Sequence, residues 1–127
     1  MKQEFTIQEV AEITSLSVHT LRYYERIGLV DPVSRSSNGY RRYSPTDIAW
    51  VEFLNRLRAT GMPIHQMQRF ASLRRQGNSS IRERRTLLEG HKDEVNKRLL
   101  ELKHNLEAIE EKIYHYKQLE VKNEPDK

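Results

Sequence analysis

The sequence predicts a mostly α-helical chain in two parts, a head of four short helices with a two-stranded wing, then one long helix. Three observations carry that expectation. Helix-start signals at Thr6, Ser17, Ser44 and Ser80 divide the chain into amphipathic pieces. An Asn-Gly pair sits among Tyr and Arg residues at 38–43, which is hairpin chemistry. Beyond residue 80, apolar residues recur at alternating three- and four-residue steps for about 40 residues, a coiled-coil pattern.

The first helix, about residues 6–14, starts at a capping box. The Thr6 oxygen takes an orphan N–H and Glu9 reaches back to the cap. Ile7, Val10, Ala11 and Thr14 form its inward stripe. Only two or three residues separate its end, near Ser15-Leu16, from Ser17, which caps a second helix over about 18–27. Two short helices so closely joined make a helix-turn-helix, with the small Ala11 at the close approach, Ser15 in the turn, and Leu16 and Leu21 filling the space between.

The second helix has two unlike faces. Val18, Leu21, Tyr24, Ile27 and Leu29 form the inward side, whereas His19, Arg22, Tyr23 and Arg26 recur on the other, with Thr20 beside them. A solvated face normally mixes Lys, Glu and Gln. This one offers donors, an aromatic hydroxyl and two guanidinium groups, which suit nucleic acid. Taken alone, the stretch also reads as an ordinary amphipathic helix with a basic exterior.

Gly28 ends that helix in a left-handed conformation, and Pro32 biases Asp31 toward extended backbone. A wing over about 30–43 follows. Period-two alternation sends Tyr40 and Arg42 to one side and Arg41 and Tyr43 to the other, so one Arg and one Tyr face phosphates while their neighbours pack back. The bland reading is a soluble sheet edge.

Ser44 caps a third helix over about 45–60, with Pro45 at its first position and Asp47 in its first turn. Its stripe of Trp50, Phe53, Leu54 and Leu57 is the bulkiest in the chain and marks the core of the head. Arg58 points outward near the Gly61-Met62-Pro63 turn, where side chain and following helix N-terminus together suit a phosphate. Ile64, Met67, Phe70 and Ala71 define a fourth helix over about 63–75, closed by Gly77-Asn78-Ser79.

A second capping box, Ser80 to Glu83, opens the long helix over 80–120, leaving 121–127 as a frayed tail. Its seam runs through Ile81, Leu88, Val95, Leu99, Leu102, Leu106, Ile109, Ile113 and Tyr116, interrupted by Arg85 and Lys92. About 40 residues rising roughly 1.5 Å each make a rod about 60 Å long. No other segment remains to cover the seam, so it requires a second copy. Gly90 softens or bends the first third, at about 1 kcal/mol relative to a good helix former.

Composition agrees with a head on a rod. Only 36% of the 127 residues are apolar, too few for a fully globular chain, so part must be elongated. The net charge of +4 lies entirely in residues 1–79, where ten of the eleven basic residues are Arg. A net-positive, Arg-rich head on a neutral tail points to a polyanion partner. The absence of cysteine excludes disulfides, thiolate metal ligands and thiol redox sensing in the chain acting alone. No apolar run approaches the roughly 18 residues of a membrane span, and the N-terminus lacks a secretory h-region, so cytoplasm is expected.

With these elements in this order, the chain resembles the MerR family of transcription regulators over nearly its full length. The specific parts are Thr-Leu-Arg-Tyr-Tyr-Glu-Arg-Ile-Gly-Leu at 20–29, Gly-Tyr-Arg-Arg-Tyr at 39–43, and Gly-Met-Pro-Ile at 61–64. The resemblance implies a winged helix-turn-helix DNA-binding domain over 1–75 and a homodimer joined by an antiparallel coiled coil. It implies binding to a pseudo-palindromic operator between promoter elements, with a spacer bent and untwisted so that RNA polymerase engages both. It matches His19 and Thr20 to base edges, Arg22 and Tyr23 to bases and phosphates, Arg41 and Tyr43 to the wing's backbone contacts, with Arg42 their neighbour, and Arg58 to a phosphate. With Ser17, Arg26 and Tyr40 these are the candidate DNA-binding residues. Leu88, Val95, Leu99, Leu102, Leu106, Ile109, Ile113 and Tyr116 are the candidate dimer interface.

Two departures narrow the reading. Metal-sensing relatives carry Cys at the start of the dimer helix and in a loop after it, and this chain has neither, so no metal or cofactor is expected. Drug-sensing relatives carry a ligand domain beyond the rod, and this chain ends at Lys127. Any small-molecule effector is then expected near the rod and the third and fourth helices, with Met62, Met67, Phe70, His91 and Tyr114 as candidates. Met and aromatic residues at that spacing more often form core. A simple repressor or architectural bender shares every feature above. A coiled-coil adaptor with a basic protein-binding head is the rival from another class, whereas an enzyme is not expected, for want of a phosphate loop, a nucleophile motif or a metal-ligand set.

Overall fold

The computed structural model describes residues 4–31 and 42–123, and side-chain caps start three of its four short helices. In α1, Ile7–Thr14, Thr6 Oγ1 accepts from the Glu9 N–H at 3.2 Å while Glu9 Oε1 accepts from the Thr6 N–H at 3.0 Å. The same reciprocal pair joins Ser44 and Asp47 at the start of α3, Pro45–Ala59. In α2, Val18–Arg26, Ser17 Oγ accepts from the Thr20 N–H at 3.0 Å. Each bond satisfies a helix-terminal donor that burial would otherwise penalise. The fourth, α4, spans Ile64–Arg75 and starts at Pro63 without a side-chain cap.

The expected wing can be judged only at its ends. Residues 32–41, with the Asn38-Gly39 turn, Tyr40 and Arg41, lie outside the described residues. Phe5 and Tyr43 form an antiparallel bridge, with the Phe5 N–H on the Tyr43 carbonyl at 2.8 Å and the Tyr43 N–H on the Phe5 carbonyl at 2.9 Å. The segment before α1 is thus the partner of the chain that enters α3.

The core of the head gathers Val10, Leu21, Tyr24, Leu29, Tyr43, Val51, Leu54 and Met67, with Trp50, Leu57, Met62 and Phe70 around them. Met62, Met67 and Phe70, candidates for an effector site, are enclosed in this packing, which is the plainer of the two readings. The stripe of α3 holds Trp50, Leu54 and Leu57 as expected and differs from the expectation at one position. Ile48 and Val51 are buried, whereas Phe53 is 37% exposed. Trp50 joins both phases because its ring stacks on Phe70 at 5.6 Å and its Nε1 donates to the Leu29 carbonyl at 2.8 Å. The Arg74 guanidinium lies 4.3 Å from the Trp50 ring centroid, closing the aromatic stack from outside.

Turns supply the remaining geometry. Ser15, between α1 and α2, takes a left-handed φ of 60°, an unusual conformation for a residue with a Cβ. Replacing it with glycine is expected to raise unfolding stability by about 1 kcal/mol, read from the urea midpoint. An unchanged or lower midpoint would show that Ser15 carries compensating contacts. Gly28 has the left-handed φ of 82° expected of it at the end of α2.

Between α4 and the long helix, residues Gly77–Ser80 form a 3-10 turn. The expected capping box at Ser80 gives way to a different lock. Ser80 Oγ donates to the carbonyls of Leu73 and Gly77 and accepts from Arg84 Nε at 3.1 Å, while Glu83 pairs with Arg69 at 3.5 Å. The long helix α5 spans Ile81–Asn123 without interruption at Gly90. Residues 121–123, expected to fray, are therefore helical, and 124–127 lie outside the described residues.

The chain divides into two compact units, residues 1–88 and 89–127. In the first, Leu87 and Leu88 rest on the edge of the head core. In the second, Leu99, Leu102, Leu106, Ile109, Ile113 and Tyr116 are all exposed, Leu102 at 66%. Among the described residues, no helix is long and apolar enough to cross a membrane.

Candidate nucleic-acid interface

The surface of α2 follows from where its inward residues are held. Leu21 and Tyr24 are fully buried, so a helix of this pitch turns His19, Arg22, Tyr23 and Arg26 outward, and all four are exposed. Thr20 is half-buried at the edge of that face. Ser17 Oγ accepts from the Thr20 N–H and donates to Thr20 Oγ1 at 2.9 Å, which fixes both hydroxyls at the helix start. Ser17 therefore serves first as a cap, while Thr20 keeps its own proton free to donate outward.

Tyr23 and Arg26 support each other. The Arg26 guanidinium carbon lies 5.7 Å from the Tyr23 ring centroid, and the Tyr23 ring leans on Tyr24 at 6.3 Å. Such a stack reduces the rotamer freedom lost when either side chain meets a ligand. Arg22 makes no hydrogen bond or ion pair among the described residues, so all its donors face solvent. Among the exposed four, it is the side chain with a planar fork left unshared.

Arg58, expected as a phosphate contact at the end of α3, is exposed but anchored. Its Nη1 donates to the Tyr24 hydroxyl at 3.0 Å, and its guanidinium lies 6.0 Å from the same ring. A buried phenol is thereby satisfied by a surface cation, and the end of α3 is tied to the inner side of α2. The remaining donors of Arg58 stay available for an anion.

The described end of the wing brings a correction. Tyr43, expected to face phosphates, is 1% exposed, its ring enclosed in the head core. The bridge to Phe5 sets the register there, so the alternation runs the other way, with Tyr43 inward and Arg42 at the surface in an ion pair with Glu4 at 3.4 Å. Tyr40 and Arg41 lie outside the described residues. Leu88, expected in the seam of α5, is partly buried and packs against the head core.

Sequence reasoning missed the residues that hold the exit of α2. Gln68 Nε2 donates to the Ile27 carbonyl at 2.9 Å, and Arg75 donates to both the Gly28 carbonyl and the Asp31 carboxylate. Together with the indole bond to Leu29, four side-chain bonds from α3 and α4 pin residues 27–31. Nothing local marks Gln68 or Arg75 for this role.

The sequence and fold of the chain recur in known proteins. Residues 5–73 match the family described as MerR HTH family regulatory protein, and residues 48–119 match that described as MerR, DNA binding. An uncharacterized HTH-type transcriptional regulator of Haemophilus influenzae is 35% identical over 112 residues, 88% of this chain and 83% of that protein. The crystal structure of HiNmlR, a MerR family regulator lacking the sensor domain and bound to promoter DNA, aligns with a TM-score of 0.83 at 33% identity. That alignment covers 93% of this chain and 94% of the other. A MerR family transcriptional regulator from Listeria monocytogenes aligns with a TM-score of 0.86 at 30% identity, covering 94% and 95%. Head and long helix together, this chain belongs to the MerR family of helix-turn-helix regulatory proteins.

Proposed function

We propose that the chain is a sequence-specific, DNA-binding transcriptional regulator that acts as a homodimer on a pseudo-palindromic operator, bending and untwisting a promoter spacer for RNA polymerase. The observation that carries this reading is the outward set His19, Arg22, Tyr23 and Arg26 on the second helix of a helix-turn-helix. Two such helices on a two-fold axis read successive major grooves when the half-sites lie about one helical turn, roughly 34 to 36 Å, apart. The exposed seam of α5 supports pairing with a second copy. The chain acts by binding, without catalysis or cofactor, in the cytoplasm.

The chain is similar to a MerR family regulator that lacks the sensor domain and is bound to promoter DNA. An effector, if the promoter requires one, acts through the head and α5. Activation and repression separate in transcription on a template with a long spacer: the switch raises the transcript, and simple occlusion lowers it.

Substitution separates base reading from charge. Arg22→Ala is expected to weaken binding to a selected operator duplex by about 1 to 3 kcal/mol and to relax its preference over a scrambled duplex. Arg58→Ala is expected to weaken both duplexes about equally and to lower the salt slope by about 1. Gel shifts on both duplexes measure this. Equal losses for Arg22→Ala on the two would remove the base-reading role.

A further inference from the structure

The end of α4 makes an unusual commitment to the other side of the head. Arg75 is its last residue, and its guanidinium donates through Nε to the Asp31 carboxylate and through Nη2 to the Gly28 carbonyl. Gly28 and Asp31 bracket the exit of α2, where the chain leaves the recognition helix through the left-handed Gly28. A guanidinium holding a main-chain carbonyl and a carboxylate at once restricts both translation and rotation of that exit, which a single ammonium donor does not. Gln68, two turns earlier on α4, holds the Ile27 carbonyl from the same helix.

The anchor behind Arg75 is itself rigid. Gly77 turns the chain, Arg84 Nη2 donates to the Gly77 carbonyl at 2.9 Å, and Ser80 reaches back to the Leu73 carbonyl. The side chains of Arg75 and Asp31 are 41% and 53% exposed. A pair so open to solvent contributes little to folding stability.

We propose that Arg75 is a positioning residue for DNA recognition: by bonding Gly28 and Asp31 it fixes the tilt of α2, so that Arg22 and Tyr23 meet base edges in one register. This deepens the DNA-binding reading and rests on it. Arg75 is not a base or phosphate ligand in this account. Its effect is to confine α2 to one orientation, which favours the matched sequence over any other.

The test uses the full chain and a duplex selected by the wild-type protein from a randomised pool, beside a scrambled duplex of equal composition. Titration against a tight-binding excess first gives each variant's active fraction. Arg75→Ala is expected to reduce the ratio of selected to scrambled affinity by about fivefold, with Arg75→Lys in between and Asp31→Asn in the same direction as Arg75→Ala. Combining Arg75→Ala with Asp31→Asn is expected to reduce the ratio no further than Arg75→Ala alone. The melting temperature should stay within about 4 °C of wild type.

A ratio changed by less than about twofold in Arg75→Ala overturns the proposal. So does an equal loss on both duplexes with a salt slope lowered by about 1, which makes Arg75 a phosphate ligand. If Arg75→Ala does not fold, Arg75→Lys and Asp31→Asn are read by the same ratio. A wild-type protein that selects no duplex instead rejects the DNA-binding reading itself.

Discussion

Charging the middle of the seam, with Leu102→Asp and Leu106→Asp in one chain, is expected to give a folded monomer that binds its operator at least about a hundredfold more weakly than wild type. Both leucines are exposed on α5, 66% and 52%, so neither substitution opens a cavity within a single copy. In a paired rod both positions lie in the covered seam. The added carboxylates are then buried among apolar side chains, which costs several kcal/mol in desolvation. Sedimentation reports the dimer and a gel shift reports the operator. A variant that sediments as wild type would show that the copies meet elsewhere, and the homodimer as drawn would be abandoned.

The second large effect is on folding of the head. Leu54, on α3, is fully buried among residues of the core, and Leu54→Ala is expected to lower unfolding stability by about 2 to 5 kcal/mol. That is a large share of the total for a domain of this size. Urea midpoints at matched protein concentration measure it, since pairing of copies adds a concentration-dependent term. Because α2 borrows its orientation from this core, the variant should also lose operator binding as temperature rises toward its lowered midpoint. A shift below about 1 kcal/mol would mean the head relaxes around the lost methyl groups.

What the sequence disclosed and what it withheld divide by range. The caps at Thr6, Ser17 and Ser44 were legible because each rests on residues three apart, and the bonds form as expected. The outward set on α2 was legible because burial of Leu21 and Tyr24 leaves one choice for a rigid helix. Tyr43 was misplaced because alternation names two sides of a strand without saying which is inside. That choice was made by Phe5, distant in sequence. On α3, Trp50, Leu54 and Leu57 are buried as expected and only Phe53 was misplaced, because Trp50 fits two adjacent stripes and packing chose the one through Ile48 and Val51. Leu88 fits the heptad but meets the head first. Arg75 was invisible because its partners lie 44 and 47 residues away, and no periodicity links them.

The indole of residue 50 has a practical use. It is the chain's sole tryptophan, hydrogen-bonded to the carbonyl of Leu29, stacked with Phe70 and in contact with the Arg74 guanidinium. Emission excited beyond the tyrosine absorption band therefore originates at one spot, behind the exit of α2. Any ligand that shifts that exit changes the colour or yield of the signal, so the molecule carries its own optical gauge of the region proposed to read DNA.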